Sequence, residues 1–414
     1  MLTPVVTVQV FLLQILHGNT ACAHLPRLAR LRFTVAAYCR ARQKLPLEVL
    51  TRLLKQTIEC LQGQTFDTGR WLGHRVFFLD GSSFSMPDTP ELQAHFGQSG
   101  MQKPGCGFPT AHWLAMMHAG TGMISTILAG PLRTHDMSSA IQLHPELTPG
   151  DLLVADRGFC SYAHLALLSE RQVEGLLRMH QRVLVDFTPG RPHNGEPGKK
   201  RVKGRPSSRW LKQLGVTDQL VEWFRAASQR PDWMTPEQFA ALPESLVVRE
   251  LRYQVQRRGF RVQEVTLVTT LLDETLYPLE ELADLYRRRW EIETNFGHVK
   301  TTMGMDVLKC REVSGVLKEL HAFALVYNLV RQVMLEGARR QKVDVNRVSF
   351  IDALRWLQTA EAGQPLDDLV INPLRPGRYE PRVIKRRGKN YPHMTQPRSQ
   401  LKQALAKQAV RGLS

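Results

Sequence analysis

The sequence predicts an α/β protein: a sheet with mixed strand directions, preceded and followed by helices. Three observations carry that expectation. Short apolar runs recur between residues 76 and 180, and two of them end in an Asp followed closely by Gly. Helix-length segments separate several of these runs. Longer apolar stretches with cap and stop residues occupy residues 5–60 and 279–362.

Taken in order, Val5–Leu16 is apolar, and Gly18 beyond it is a stop signal. Asn19 and Thr20 are candidate N-caps for a second helix ending near Leu31. Thr34 is a candidate cap for a third, Val35–Lys44, and Pro46 permits a fourth reaching about Gln62. The character then changes. Val76-Phe77-Phe78-Leu79 reads as a strand ending in Asp80-Gly81-Ser82. Phe108–His118 and Met123–Leu132 read as two more strands, joined near Gly120–Gly122. Asp136–Leu143 reads as a short helix. Asp151–Ala155 is a strand that ends at Asp156-Arg157-Gly158-Phe159. Ser161–Gln172 is a helix and Gly175–Met179 a strand.

Residues 181–276 read as an insertion. Arg182–Phe187 is strand-like, and Pro189–Ser208 is an exposed loop rich in Gly, Pro and basic residues. Leu246–Gln256 and Arg261–Leu272 alternate as paired strands, with Arg258-Gly259 at their turn. Pro278 then opens a long helical stretch, Leu279 to about Thr302. Glu319–Arg340 and Phe350–Ala362 are two further helices, and the tail from Pro373 reads as extended or poorly ordered.

The chain has 414 residues, enough for two or three domains, with ordinary globular values of 43% hydrophobic and 22% charged residues. Its charge is not ordinary: 55 Lys and Arg stand against 38 Asp and Glu, a formal net of +17. By segment the net is +7 over residues 1–75, −4 over 76–190, +7 over 191–212, −3 over 213–371 and +10 over 372–414. Basic segments thus flank and interrupt a mildly acidic body. That pattern favours a polyanionic partner, nucleic acid before an anionic membrane surface. A basic third helix fits either a helix-turn-helix module or a plain helical bundle. The six cysteines are far apart, with no Cys-x-x-Cys and no zinc-finger spacing, as expected in a reducing compartment. Val5–Leu16 is too short to span a bilayer, so the reading is a soluble cytoplasmic protein.

Asp80 and Asp156 each end an apolar strand, a place where functional side chains gather in α/β sheets. Taken singly, each is better explained by a turn or a helix cap. Residues 286–300 are sharper. On a helix, Tyr286, Arg289, Glu293 and Lys300 fall on one face, a polar stripe where a core-facing helix would be apolar. Three carboxylates meeting at one point suit hard divalent cations, magnesium or manganese, which can activate a water or a 3′-hydroxyl for phosphodiester chemistry. Arg289 and Lys300 would hold phosphate oxygens, with Tyr286 adding a hydrogen bond.

On these residues the chain resembles bacterial insertion-sequence DDE transposases, in the branch with a Tyr-Arg-Glu-Lys signature (the IS-four family). Tyr286, Arg289, Glu293 and Lys300 match that signature without a gap. Leu-Asp-Gly-Ser around Asp80 and Ala-Asp-Arg-Gly-Phe around Asp156 resemble the two aspartate motifs. The resemblance implies an RNase H-like catalytic core with a β-rich insertion, preceded by a helical N-terminal domain and followed by a helical C-terminal region. The layout is then a helical DNA-binding domain over 1–70, core over 71–180, insertion over 181–276, core again over 277–345, and a C-terminal helix and basic tail over 346–414. Relatives often carry residues ahead of the Leu2–Leu31 segment, so a shortened N-terminus is part of the reading.

The resemblance further implies metal-dependent cleavage at the element's ends and strand transfer into target DNA. Asp80, Asp156 and Glu293 would be catalytic and would ligate two Mg²⁺ ions, with Mn²⁺ able to substitute. Tyr286, Arg289 and Lys300 would contact DNA. The partners would be terminal inverted-repeat DNA, target DNA and a second copy of the chain, in a bacterial nucleoid and without a membrane. A hairpin route for the second strand stays open, since none of Trp210, Trp223 and Trp233 aligns to the stacking platform it needs. The rival readings are another RNase H-like nuclease and a catalytically silent, DNA-binding descendant.

Overall fold

The computed structural model describes residues 2–62, 70–100, 102–132, 136–194, 202–226, 230–255, 263–373 and 394–411. The proposed Arg258-Gly259 turn, part of the basic loop and most of the Pro/Arg-rich tail lie outside these residues.

Four helices lead: α1 (Pro4–Leu16), α2 (Leu25–Leu28), α3 (Val35–Lys44) and α4 (Leu47–Gln62). Thr34 caps α3 as expected, its hydroxyl accepting from the Ala37 N–H at 3.1 Å. The second helix is shorter than expected. Asn19 does not cap it. At φ 51° it closes α1 instead, and its amide donates to Glu319 at 2.5 Å. A 3₁₀ turn (Cys22–His24) and the four residues of α2 follow, and Arg30 at φ 53° stops the run.

The described strands form one nine-stranded sheet. They are β1 (Val76–Ser85), β2 (Thr110–His118), β3 (Ile124–Pro131), β4 (Leu152–Ala155), β5 (Glu174–Arg178), β6 (Arg209–Gly215), β7 (Asp218–Phe224), β8 (Ser245–Val255) and β9 (Gln263–Thr269), in spatial order β3-β2-β1-β4-β5-β9-β8-β7-β6. β4 is parallel to β1 and β5 is parallel to β4, while β2 and β9 run antiparallel to their neighbours. The insertion strands therefore continue the sheet from the edge of β5. β6 and β7 were not anticipated. Arg182–Phe187 is not a strand: Val183 and Leu184 are about half exposed and pair with nothing in the sheet.

Period-two alternation sorts the side chains into two cores. Val76, Phe78, Leu152 and Val154 face one side, packed under α1, α4 and the helices α9 (Leu279–Arg288), α10 (Trp290–Gly297), α11 (Val313–Gln341) and α12 (Phe350–Thr359). Phe77, Leu79, Leu153 and Ala155 face the other, under Ala140 and Leu143 of α6 (Asp136–Leu143) and Leu165 and Leu168 of α7 (Tyr162–Glu170). Two small helices, α5 (Pro90–Phe96) and α8 (Pro236–Ala241), fill the connections. α11 is long and apolar enough to cross a membrane by length and composition, but 72% of its most apolar stretch is buried here as a core helix. The tail differs from expectation at its end, where α13 (Arg398–Arg411) is helical and anchored by Arg398 on Asp88 at 3.3 Å and over the Phe108 ring.

A buried histidine pair steadies the turn after β4. His164 Nδ1 lies 2.6 Å from the Phe159 carbonyl, and its Nε2 lies 2.9 Å from His144 Nε2. The carbonyl requires a proton on His164 Nδ1, so His144 donates to the bare His164 Nε2. Burial holds both rings neutral, pushing His144 down to about 3 and His164 to about 4. Unfolded histidines protonate near 6.5. Stability from this pair is therefore complete above that pH and falls as pH drops toward about 4. Urea unfolding between pH 7.5 and 4.5 should show that fall, with a shallower slope in His144→Gln, which still donates but does not titrate. Equal slopes would contradict the assignment.

Candidate active site

Parallel pairing of β1 with β4 runs through Phe78↔Val154 and ends at Leu79↔Ala155. One residue further, alternation turns Asp80 and Asp156 to the same face, the one covered by α9 and α10. Asp80 is not a strand end as expected. β1 runs on to Ser85, because β2 continues to pair with it through Ser85↔Thr110. What ends at Leu79 is the contact with β4, so the strands diverge just where the two aspartates emerge. Asp156 occupies the N-cap position of a 3₁₀ turn (Arg157–Phe159), yet its side chain makes no capping bond. Its Oδ1 instead accepts from the Tyr286 hydroxyl at 3.2 Å.

α9 buries Leu282, Leu285 and Tyr286 against the sheet. The chain passes into α10 through Arg289, itself at helical φ −51° and ψ −30°. This side chain is 6% exposed. Its Nη1 lies 3.2 Å from Asp80 Oδ2 and its Nη2 lies 3.4 Å from Glu293 Oε1. One guanidinium thus joins a strand carboxylate to a helix carboxylate. Burial works against its charge, but Tyr286, Asp80 and Asp156 outweigh that and hold its pKa above the usual value. The Asp80 carboxyl is raised, by burial first, with Asp156 and Glu293 pushing the same way against the Gly81 N–H and Arg289. Burial also raises the Tyr286 phenol, which stays protonated and able to donate.

The long helical stretch expected from Leu279 to about Thr302 is present, divided into α9, α10 and a π-helical turn, His298–Thr302. Lys300 sits in that turn and bonds to β1 rather than to any of the other five residues. Its Nζ donates to Ser82 Oγ at 3.1 Å and to the Ser83 carbonyl at 2.7 Å. It lines a groove of about 740 Å³ together with Asp80, Ser82, Thr110, Glu293 and Asp306. Ser82, Thr110 and Asp306 were not singled out from the sequence. The strand register that carries β1 past Asp80 brings Ser82 and Thr110 to the groove, and the Ser85 N–H bond to the Asp306 carbonyl brings Asp306.

Among the described residues, no three His, Cys, Asp or Glu side chains stand close enough to ligate an ion as they are. The donor chemistry nonetheless fits a hard divalent cation. All three groups offer anionic oxygens, and their mutual repulsion at Asp80 is what such a charge relieves.

Residues 71–329 match the family model for the transposase DDE domain. The chain belongs to the DDE transposase family. It is 26% identical over 376 residues to the transposase InsG for insertion sequence element IS4 of Escherichia coli (strain K12), covering 86% of this chain and 78% of that one. The transposase for insertion sequence element IS231F of Bacillus thuringiensis subsp. israelensis is 20% identical over 331 residues, covering 73% and 67%. A solved piggyBac transposase synaptic complex with hairpin DNA is similar with a TM-score of 0.42 and 8% identity, covering 85% of this chain and 69% of that one. The chain is thus a DDE transposase, an enzyme of DNA transposition.

In this transposase Gly81 is crowded by a neighbouring imidazole, which would have to move for any side chain to fit. A Cβ there would lie 2.5 Å from His112 Nε2, and the Gly81 N–H donates to Asp80 Oδ1 at 2.8 Å. Gly81→Ala should cost about 1–3 kcal/mol by overpacking and displace Asp80. Adding His112→Ala should recover part of that loss in urea unfolding. No recovery in the double variant would mean that the crowding lies elsewhere.

Proposed function

We propose that this transposase cleaves DNA at insertion-sequence ends and joins the freed 3′-hydroxyls to target DNA by a cut-and-paste route. Asp80, Asp156 and Glu293 are its catalytic carboxylates. The observation that carries this reading is Arg289, whose guanidinium meets carboxylates from a central strand and from the α10 helix. The Tyr286–Asp156 bond, on the same face, supports it. The strand order β3-β2-β1-β4-β5, with β1, β4 and β5 parallel, supports an RNase H-like core that β6–β9 extend.

The three carboxylates would hold two divalent ions, Mg²⁺ with Mn²⁺ able to replace it. Such ions, when bound, supply Lewis acidity at the phosphate and lower the pKa of an attacking hydroxyl. The chain's own residues do the rest. The Gly81 N–H occupies one Asp80 oxygen and so orients the carboxylate. Tyr286 does the same for Asp156. Arg289 lowers the cost of gathering three negative charges in a half-buried site. Lys300 offers an ammonium on the groove wall for a DNA phosphate, where it acts as a point charge. Arg289 and Tyr286 reach the DNA only as far as their bonds to the carboxylates allow.

The N-terminal segment 1–70 and the basic segments 191–212 and 372–414 would bind the inverted repeats and flanking phosphates. Two copies would bridge two DNA ends in the bacterial nucleoid. Glu293→Gln keeps the shape of the side chain and removes its charge. It should lower strand cleavage by about 100-fold or more while gel-shift affinity for an inverted-repeat duplex stays near wild type. Cleavage that survives in this variant would remove Glu293 from the catalytic set.

A further inference from the structure

The π turn at His298–Thr302 is a rare form of backbone, and it lies beside the groove. On its far side the chain is stitched to β1. Ser85 N donates to the Asp306 carbonyl at 3.1 Å, and Leu308 N to the Ser85 carbonyl at 3.0 Å. On its near side the support is a ring. The His298 imidazole lies parallel to Phe350, with centroids 4.2 Å apart and planes 5° apart. Phe350 is buried and stacks in turn on Tyr327, whose hydroxyl donates to the Gly122 carbonyl at 2.8 Å. A column of rings therefore runs from the π turn to the loop between β2 and β3.

The His298 contact is one of shape, not of hydrogen bonding. Its Nδ1 is buried without a hydrogen-bond partner. Burial, with the Arg331 charge acting the same way, pushes its pKa down to about 4, so the ring stacks as a neutral plane. Two residues on, Lys300 turns back to Ser82 and Ser83 of β1. A π turn spreads its residues more widely than an α turn, so where Lys300 points depends on that turn being kept.

We propose that His298 is a positioning residue for Lys300: its ring, clamped on Phe350 of α12, holds the π turn that aims the ammonium along the groove wall beside Asp80. The proposal rests on the reading of Lys300 as a phosphate contact. It also extends the active site beyond residues 71–329, because Phe350 lies outside the segment that matches the family.

The test uses the full chain and a labelled duplex carrying the inverted repeat that flanks its gene. Binding is measured across a range of salt for wild type, Lys300→Ala, His298→Ala, His298→Phe and the double variant His298→Ala/Lys300→Ala. One lost phosphate contact reduces the steepness of log affinity against log salt by about 0.9. Lys300→Ala should show that reduction, and His298→Ala should match it. The double variant should lose no more than Lys300→Ala alone, and His298→Phe, which keeps the stacked ring, should keep the wild-type steepness. If His298→Ala does not fold, Phe350→Leu removes the ring pair from the other side and is read in the same way. A reduced slope in Lys300→Ala with a wild-type slope in His298→Ala or Phe350→Leu overturns the proposal alone. A wild-type slope in Lys300→Ala overturns the phosphate role of Lys300 and the proposal with it.

Discussion

The Arg289 guanidinium, buried between Asp80 and Glu293, is the interaction on which the rest of the site depends. A guanidinium this deep is costly without carboxylate partners, and carboxylates this crowded are costly without a cation. Each makes the other tolerable. The pairing also fixes geometry, because it ties the middle of β1 to the first turn of α10. Tyr286, one helical turn earlier, ties Asp156 to the same helix pair. Two strands and two helices are thus registered on one another by three polar contacts that a purely apolar interface would leave free to slide.

The sheet supplies the other half of the constraint. Asp80 and Asp156 share a face because β1 and β4 are parallel and their pairing ends one residue before each of them. A slip of one residue in either strand would send its aspartate into the core under α6 and α7. That register is defended by the buried side chains on both faces and by the His144–His164 pair behind the Asp156 turn. The insertion is held as firmly. Arg249 of β8 and Asp218 of β7 form an ion pair, both nearly inaccessible, and Arg249 also donates to the Tyr277 carbonyl just before α9. The sheet extension therefore bears directly on the start of the helices that carry Tyr286, Arg289 and Glu293.

Much of this was legible in the residues. Thr34 announced α3, and the apolar run at Val76 announced β1, since both signals are local. The spacing of Tyr286, Arg289, Glu293 and Lys300 announced a polar helical face. Other features were hidden because their causes are not local. β6 escaped notice because two irregularities in its pairing with β7, at Trp210/Lys212 and Gln213/Gly215, interrupt the alternation that marks a strand. The polar stretch Asp80–Ser85 resembled a turn but stays in the sheet through its pairing with β2. The π turn at His298 depends on Phe350, some fifty residues away in sequence, and spacing along one helix cannot encode such a partner. Arg289 reads from the sequence as a phosphate ligand and as an i,i+4 partner of Glu293; its contact with Asp80 follows from a packing that no single segment contains.

On the proposed reading, Asp80, Asp156 and Glu293 form a metal-dependent DNA-cleaving centre. It is tested most directly by incubating the wild-type protein with a labelled duplex carrying its flanking inverted repeat, in Mg²⁺ and in EDTA. Nicking at the boundary of the repeat is expected in Mg²⁺ and none in EDTA. Firm binding with no nicking in either Mg²⁺ or Mn²⁺ would contradict it.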